Sequence, residues 1–167
     1  MEIRSGSVED FDAVMVLMDE AVAWLTAQGR TDQWGSTPFS ESEASIRFMR
    51  KLVEEGDLFV AEIDGSVVGA LIVNPAPMSY VPPIEEPELY LRLLVSSRRR
   101  KGEGIGGQLI AFAREEADRR GIDLMRVDCF ASDDEALIRF YESQGFSRSE
   151  RIEVKPGVFV QVFERRK

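Results

Sequence analysis

The sequence predicts an α/β fold built on a mixed sheet of about seven strands with about four helices, and three observations carry that prediction. Apolar residues recur at helical spacing in some stretches and form compact strand-like runs in others. Turn signals such as Asp64-Gly65, Gly121, Gly145 and Pro156-Gly157 fall at the junctions between those stretches. At 167 residues and 44% apolar composition, the chain suits one compact domain with its own core, spanning residues 1–167.

The elements follow in order. Residues 2–5 form a short strand. Ser7 and Asp10 have capping-box spacing. Phe11, Val14, Met15, Met18, Val22 and Leu25 then line one face of a helix that ends near Gly29. A polar segment from Arg30 to Phe39 leads to a second helix, capped by Ser40 with Glu43 and directing Ile46, Met49 and Val53 inward. Strands at 58–63 and 67–73 flank Asp64-Gly65, a strong hairpin signal. Residues 74–87 hold five prolines and should be an irregular excursion. Glu88 to Val95 is a largely apolar strand. Behind it a glycine-rich loop opens a helix with Ile105, Leu109, Phe112, Ala113 and Ala117 on one face, ending at Gly121. Leu124 to Phe130 is a strand. Asp133 or Asp134 caps a short helix through Gln144, with Gly145 as its C-cap. Strands at 146–154 and 158–164 end the series, which runs β-α-α-β-β-β-α-β-α-β-β.

Composition removes several kinds of chemistry. There are no histidines and a single cysteine, Cys129. Ser-His-Asp and Cys-His nucleophiles are therefore impossible, as is an ordinary zinc site. An all-carboxylate metal site stays open, but no EF-hand spacing appears, and no metal is expected. A lone cysteine excludes an internal disulfide and suits a reducing compartment. No stretch resembles a signal peptide or approaches the roughly 20 apolar residues of a membrane span, so a soluble cytoplasmic protein is expected. A net charge of −9 argues against binding nucleic acid.

Against that acidity, Arg98-Arg99-Arg100-Lys101 is a local exception, and Gly102-Glu103-Gly104-Ile105-Gly106-Gly107 follows it directly. Glycines permit close backbone approach and positive φ. The helix N-terminus behind them offers unpaired N–H groups to an anion. The stretch is a cradle for a phosphorylated ligand. It satisfies GxGxxG, and Asp128 lies where a dinucleotide fold wants an acid for ribose. Yet Ser96 to Lys101 separate the strand from the glycines, and no run of βαβ units follows. A P-loop would need Gly-Lys-Ser/Thr, which is missing.

The same residues resemble the acetyl-CoA site of the GNAT superfamily of N-acetyltransferases. Lys101-Gly102-Glu103-Gly104-Ile105-Gly106 is similar to its Gln/Arg-x-x-Gly-x-Gly/Ala motif, with Lys in first place. A second block, Asp134-Glu135-Ala136-Leu137-Ile138-Arg139-Phe140-Tyr141-Glu142-Ser143-Gln144-Gly145-Phe146, is similar to Asn-x-x-Ala-x-x-Phe-Tyr-Glu-x-x-Gly-Phe. The element order matches along essentially the whole chain. The resemblance implies a sheet whose central strands splay apart, and acetyl-CoA as co-substrate. Pantetheine would lie along Leu93, Leu94 and Val95, with pyrophosphate on Arg100, Lys101, Gly102, Glu103, Gly104, Ile105, Gly106 and Gly107. Asp134 and Tyr141 would complete the cofactor contacts.

The implied reaction is direct acetyl transfer to a primary amine of a small molecule or peptide. An alkyl ammonium near pKa 10.4 costs about 4.6 kcal/mol to deprotonate at pH 7, so a base is wanted. Without histidine, carboxylates come first, and Glu88 is the candidate, with Glu85 and Glu86 before it. Tyr141 matches the family tyrosine that protonates the leaving thiolate. Cys129, in an apolar strand, reads as structural. Gln33, Trp34 and Tyr80 are candidates for the acceptor wall. Two alternatives stay open: a CoA-binding module without transferase activity, and a dinucleotide-binding domain. Exposed strand edges at the C-terminus leave room for a homodimer.

Overall fold

The computed structural model describes residues 1–131 and 135–167. Among the described residues, seven strands and four α-helices follow one another in the order predicted, and the sheet is mixed, with strand order β1-β2-β3-β4-β5-β7-β6. The described residues group into two compact units, Met1–Ile72 with Leu93–Leu109, and Val73–Arg92 with Ile110–Lys167.

The first unit opens with β1 (Glu2–Ser5), antiparallel to β2 (Asp57–Ile63) from Glu2↔Glu62 to Ser5↔Phe59. Ser7 and Asp10 do form a capping box, but on a 3₁₀ turn, Val8–Asp10, that runs into α1 (Phe11–Ala27). All six residues expected on the inner face of α1 are buried, with Leu17 beside them. Helix α2 (Glu43–Glu55) is capped two residues later than predicted, by Ser42 in place of Ser40. Ser42 accepts from the Ser45 amide, while Ser40 donates its amide and hydroxyl to Asp19. The shift has a packing cause: a 3₁₀ turn at Phe39–Glu41 seats the Phe39 ring at 4% exposure. Met49 and Leu52 then fill the core, and Ile46 and Val53 lie at its margin.

The Asp64-Gly65 turn joins β2 to β3 (Ser66–Asn74) with φ of 51° and 76°, the left-handed pair a two-residue hairpin requires. In the middle of β3, Gly69 answers a different need. A Cβ there would stand 2.8 Å from Ile105 and 2.9 Å from Leu109, so the glycine lets the first turns of α3 (Ile105–Arg119) press onto the strand. Gly69→Val is expected to destabilise the protein by about 1–3 kcal/mol through overpacking, read as a lowered urea midpoint at unchanged m-value.

In the second unit, β4 (Glu88–Ser96) and β5 (Leu124–Phe130) pair in parallel from Glu88↔Leu124 to Leu91↔Val127. β5 continues antiparallel to β7 (Val158–Arg166) along its whole length, and β7 pairs with β6 (Ser147–Lys155) across Pro156-Gly157. Ile110, Ala113, Ala117, Leu89, Leu91, Met125, Val127 and Phe163 are buried, and Ile138 joins them from α4 (Ala136–Ser143). Gly145 ends that helix at φ 88°, as a C-cap glycine should. The residue at its N-terminal boundary is Glu135; Asp133 and Asp134, the expected caps, lie outside the described residues.

Candidate active site

In the first unit, β4 runs through Leu93, Leu94 and Val95 to Ser96 and then enters the basic loop. Leu93 and Val95 are buried and Leu94 is half-buried. Arg98–Arg100 coil into one 3₁₀ turn, and Gly102 and Gly104 take φ of 89° and 74°. Those left-handed values bend the chain into the head of α3. The Gln108 amide bonds to the Gly104 carbonyl as the helix's first closed turn. The amides of Ile105, Gly106 and Gly107 precede that bond, which leaves them as the helix's orphan donors. Glycines at 106 and 107 keep side chains away from two of the three.

The cations ahead of the loop are committed differently from what charge alone suggests. The Arg98 guanidinium lies over the Trp24 ring, 3.6 Å from its centroid. Arg99 pairs with Glu20 at 3.5 Å and Arg100 with Glu103 at 3.1 Å. Lys101 is exposed. Three of the four cations ahead of the loop thus already have partners within the protein.

In the second unit, a carboxylate stands at the end of the β4–β5 ladder. Asp128 follows Val127, the last residue of β5 paired with β4. Tyr80 donates its hydroxyl to Asp128 Oδ1 at 2.8 Å, and Tyr90 donates to Oδ2 at 2.5 Å. Tyr90 comes from β4 and is fully buried, whereas the Tyr80 ring, from the proline-rich excursion, is 39% exposed. Burial pushes the Asp128 carboxyl above the usual carboxylate range, against the pull of both phenols. The excursion is tied down around this group. Arg92 donates to the Ala76 and Pro77 carbonyls, and Val81 packs with Tyr90 and Val162.

Tyr141 projects from α4 into an aromatic nest of Phe140, Phe146 and Phe163, with centroids 5.2–6.0 Å away. It is 6% exposed. Burial first, then the neighbouring Cys129 and Asp128, raise its phenol well above the ordinary tyrosine value. It keeps its proton at neutral pH and is a weaker acid than a solvated phenol. Cys129 is buried, and burial with the neighbouring Asp128 pushes its thiol up to about 12, so it stays a thiol at neutral pH.

Glu88 sits elsewhere in chemical terms. It is 2% exposed, and both carboxylate oxygens accept from Arg126, at 2.5 Å from Nε and 2.9 Å from Nη2. Arg126 is 4% exposed and also donates to the Pro82 carbonyl. Both oxygens of this carboxylate are engaged bidentately by a buried guanidinium, the arrangement of a structural ion pair. Of the acceptor candidates, Trp34 is half-buried with its ring edge-on to Phe39 at 5.5 Å, Gln33 is half-buried beside it, and Tyr80 is engaged with Asp128. Asp134 lies outside the described residues.

Residues 17–146 match the acetyltransferase (GNAT) family. The chain belongs to that family. It is accordingly an acyltransferase of the acetyl-CoA-dependent kind. YesJ, an uncharacterized N-acetyltransferase of Bacillus subtilis (strain 168), is 27% identical over 143 residues, covering 83% of this chain and 77% of that protein. Among solved structures, a GNAT-family acetyltransferase from Listeria monocytogenes 4b F2365 has the same fold, with a TM-score of 0.73, 22% identity, and 99% and 94% of the two chains covered. So does YncA from Salmonella typhimurium, solved with acetyl-CoA, with a TM-score of 0.68, 16% identity, and 99% and 93% covered.

Within this GNAT chain, two contributions escape sequence reasoning. The only pattern that touches Asp128 is the dinucleotide one, and its tyrosine partners lie 48 and 38 residues away. The one available signal is an acid inside the apolar run Leu124 to Phe130. Glu20 sits on a helix 77 residues before the serine it binds, and nothing in the local sequence sets it apart from other helix-surface acids.

Proposed function

We propose that this GNAT protein moves an acetyl group from acetyl-CoA to a primary amine of a small molecule or peptide by direct transfer. The observation that carries the reading is the glycine-bent loop at the head of α3, whose orphan amides suit a pyrophosphate. Pantetheine is assigned to Leu93, Leu94 and Val95, the stretch of β4 beyond its last paired residue with β5. The acetyl-CoA held by YncA supports the same donor here. No metal is invoked in the transfer.

The base in this scheme is Asp128 in place of Glu88. Its carboxylate is held by neutral phenols, and the exposed Tyr80 ring leaves Oδ1 open to exchange its donor. A primary amine that replaces the Tyr80 hydroxyl on Oδ1 gives up a proton as its nitrogen attacks the thioester carbonyl. The C–N bond forms, the C–S bond breaks, and Tyr141 gives its phenolic proton to the departing sulfur. The proton held on Asp128 passes to solvent, and Tyr141 is reprotonated. Tyr141→Phe is expected to lower kcat by about 10²-fold with CoA affinity intact, measured by steady-state thiol release. Unchanged turnover would remove Tyr141 from the reaction.

Thermal-shift titration tests the donor. Acetyl-CoA and CoA should raise Tm in a concentration-dependent way and NAD should not, because a ligand that binds only the native state stabilises it. Stabilisation by NAD alone would overturn the proposal. Stabilisation by CoA without amine-dependent thiol release would mark a binding module.

A further inference from the structure

We infer that Glu20 on α1 is a positioning residue for the cofactor loop, with Trp24 one turn behind it as its partner. The inference rests on the assignment of CoA to that loop. Glu20 Oε2 accepts from the Ser97 hydroxyl and from the Arg98 amide, both at 3.0 Å, and Oε1 faces Arg99 Nε at 3.5 Å. Its side chain is 17% exposed, so the bonds to Ser97 and Arg98 are partly desolvated, whereas Arg99 is 82% exposed and its pair adds little. Trp24 then carries the Arg98 guanidinium on its ring face, and the Arg98 Nε is buried without a hydrogen-bond partner. Arg98 thus serves the stack and is poorly placed to serve a phosphate.

These contacts hold the first two residues of the turn from which the loop is built. The Ser97 amide is fixed to the Val68 carbonyl, the Arg100 amide to Ser97, and the Glu103 amide to Arg100. Ser97 is 8% exposed. A chain of bonds therefore runs from Glu20 through Ser97 and Arg100 to Glu103, next to both left-handed glycines. Loosening its first link lets the amides of the cradle lose the common aim that makes them useful to one ligand.

Glu20 is an anion beside a site for a polyanionic cofactor. On charge alone its removal would tighten CoA binding. If positioning dominates, removal weakens binding despite the charge relief. Glu20→Gln separates the two, because its amide oxygen still accepts from Ser97 and Arg98 while the charge is gone.

Isothermal titration with CoA, together with steady-state kinetics, decides the matter. Glu20→Ala should raise the CoA Kd and the KM for acetyl-CoA about tenfold, with kcat at saturation changed by less than about twofold. Glu20→Gln should bind as tightly as the unmodified protein or more tightly. Glu20→Ala binding CoA at least as well as the unmodified protein overturns the inference, as does a fall in kcat without a change in KM. Should Glu20→Ala not fold, Trp24→Leu takes its place: about threefold weaker CoA binding supports the clamp, and unchanged binding sinks it. Failure of the unmodified protein to bind CoA would sink the functional reading itself, a result distinct from failure of the variants to differ.

Discussion

Asp128→Asn is expected to lower kcat by about 10²–10⁴-fold, the range that a positioned general base contributes. Asparagine keeps an oxygen for one phenol and nearly the same volume, so the fold and the CoA site should survive. The pH profile gives the sharper reading. The base must be ionised to act, so activity falls as pH drops through the Asp128 pKa. Burial holds that pKa above the ordinary carboxylate range, so the acid limb should lie above about pH 4. Asp128→Asn should abolish the limb as well as the rate. Stability carries the opposite sign. A carboxyl whose folded pKa is raised contributes stability below its unfolded value and loses it as pH rises through the folded one. At pH 7 Asp128→Asn should therefore be at least as stable as the unmodified protein by thermal melt. A destabilised but fully active Asp128→Asn would contradict the assignment.

Glu88→Gln should be the most damaging single change to stability. Glu88 and Arg126 are 2% and 4% exposed, and removal of the carboxylate leaves a buried guanidinium without its counter-charge. Breaking such a pair from one side costs about 3–5 kcal/mol, a fall in Tm of about 6–20 °C for a chain of this size. Glu88→Leu with Arg126→Met should recover most of it, since an apolar pair of similar volume avoids desolvating either charge. Assayed well below its Tm, Glu88→Gln should retain kcat within about threefold, since an anchor acts through the fold. A hundredfold loss of kcat at unchanged Tm would return Glu88 to the role of base.

The two carboxylates show where sequence reading succeeds and where it fails. Patterns made by neighbours in the chain were legible: the α1 face, the Asp64-Gly65 turn, the glycine loop and the Gly145 C-cap all depend on residues within a few positions of one another. Glu88 was singled out because it opens the strand that leads to the loop. Its partner, Arg126, lies 38 residues away, and only the pairing of β4 with β5 brings them together. Asp128 enters the sequence reading only as the acid a dinucleotide fold would want, and the tyrosines that bond to it come from a different strand and from an excursion whose path the prolines leave undetermined. The Ser40 cap failed for the same kind of reason. Ser40 and Ser42 are equally good caps by local chemistry, and the choice is made by Asp19 and by the seat of Phe39.

The basic run is the most instructive case. Four adjacent cations before a glycine loop suggest charge held ready for phosphate. Three of them are occupied by Trp24, Glu20 and Glu103. The run's chemistry is largely that of a brace. CoA affinity should accordingly depend less on salt than four free cations would imply.

Direct transfer from acetyl-CoA to an amine requires both substrates on the protein at once. Initial rates of thiol release, with acetyl-CoA and a primary amine varied together, test it in one measurement. Thiol release should require both substrates, with double-reciprocal lines that intersect, because both must be bound before the C–N bond forms. Parallel lines, the mark of an acetylated enzyme intermediate, or thiol release that proceeds at the same rate without amine, would contradict it.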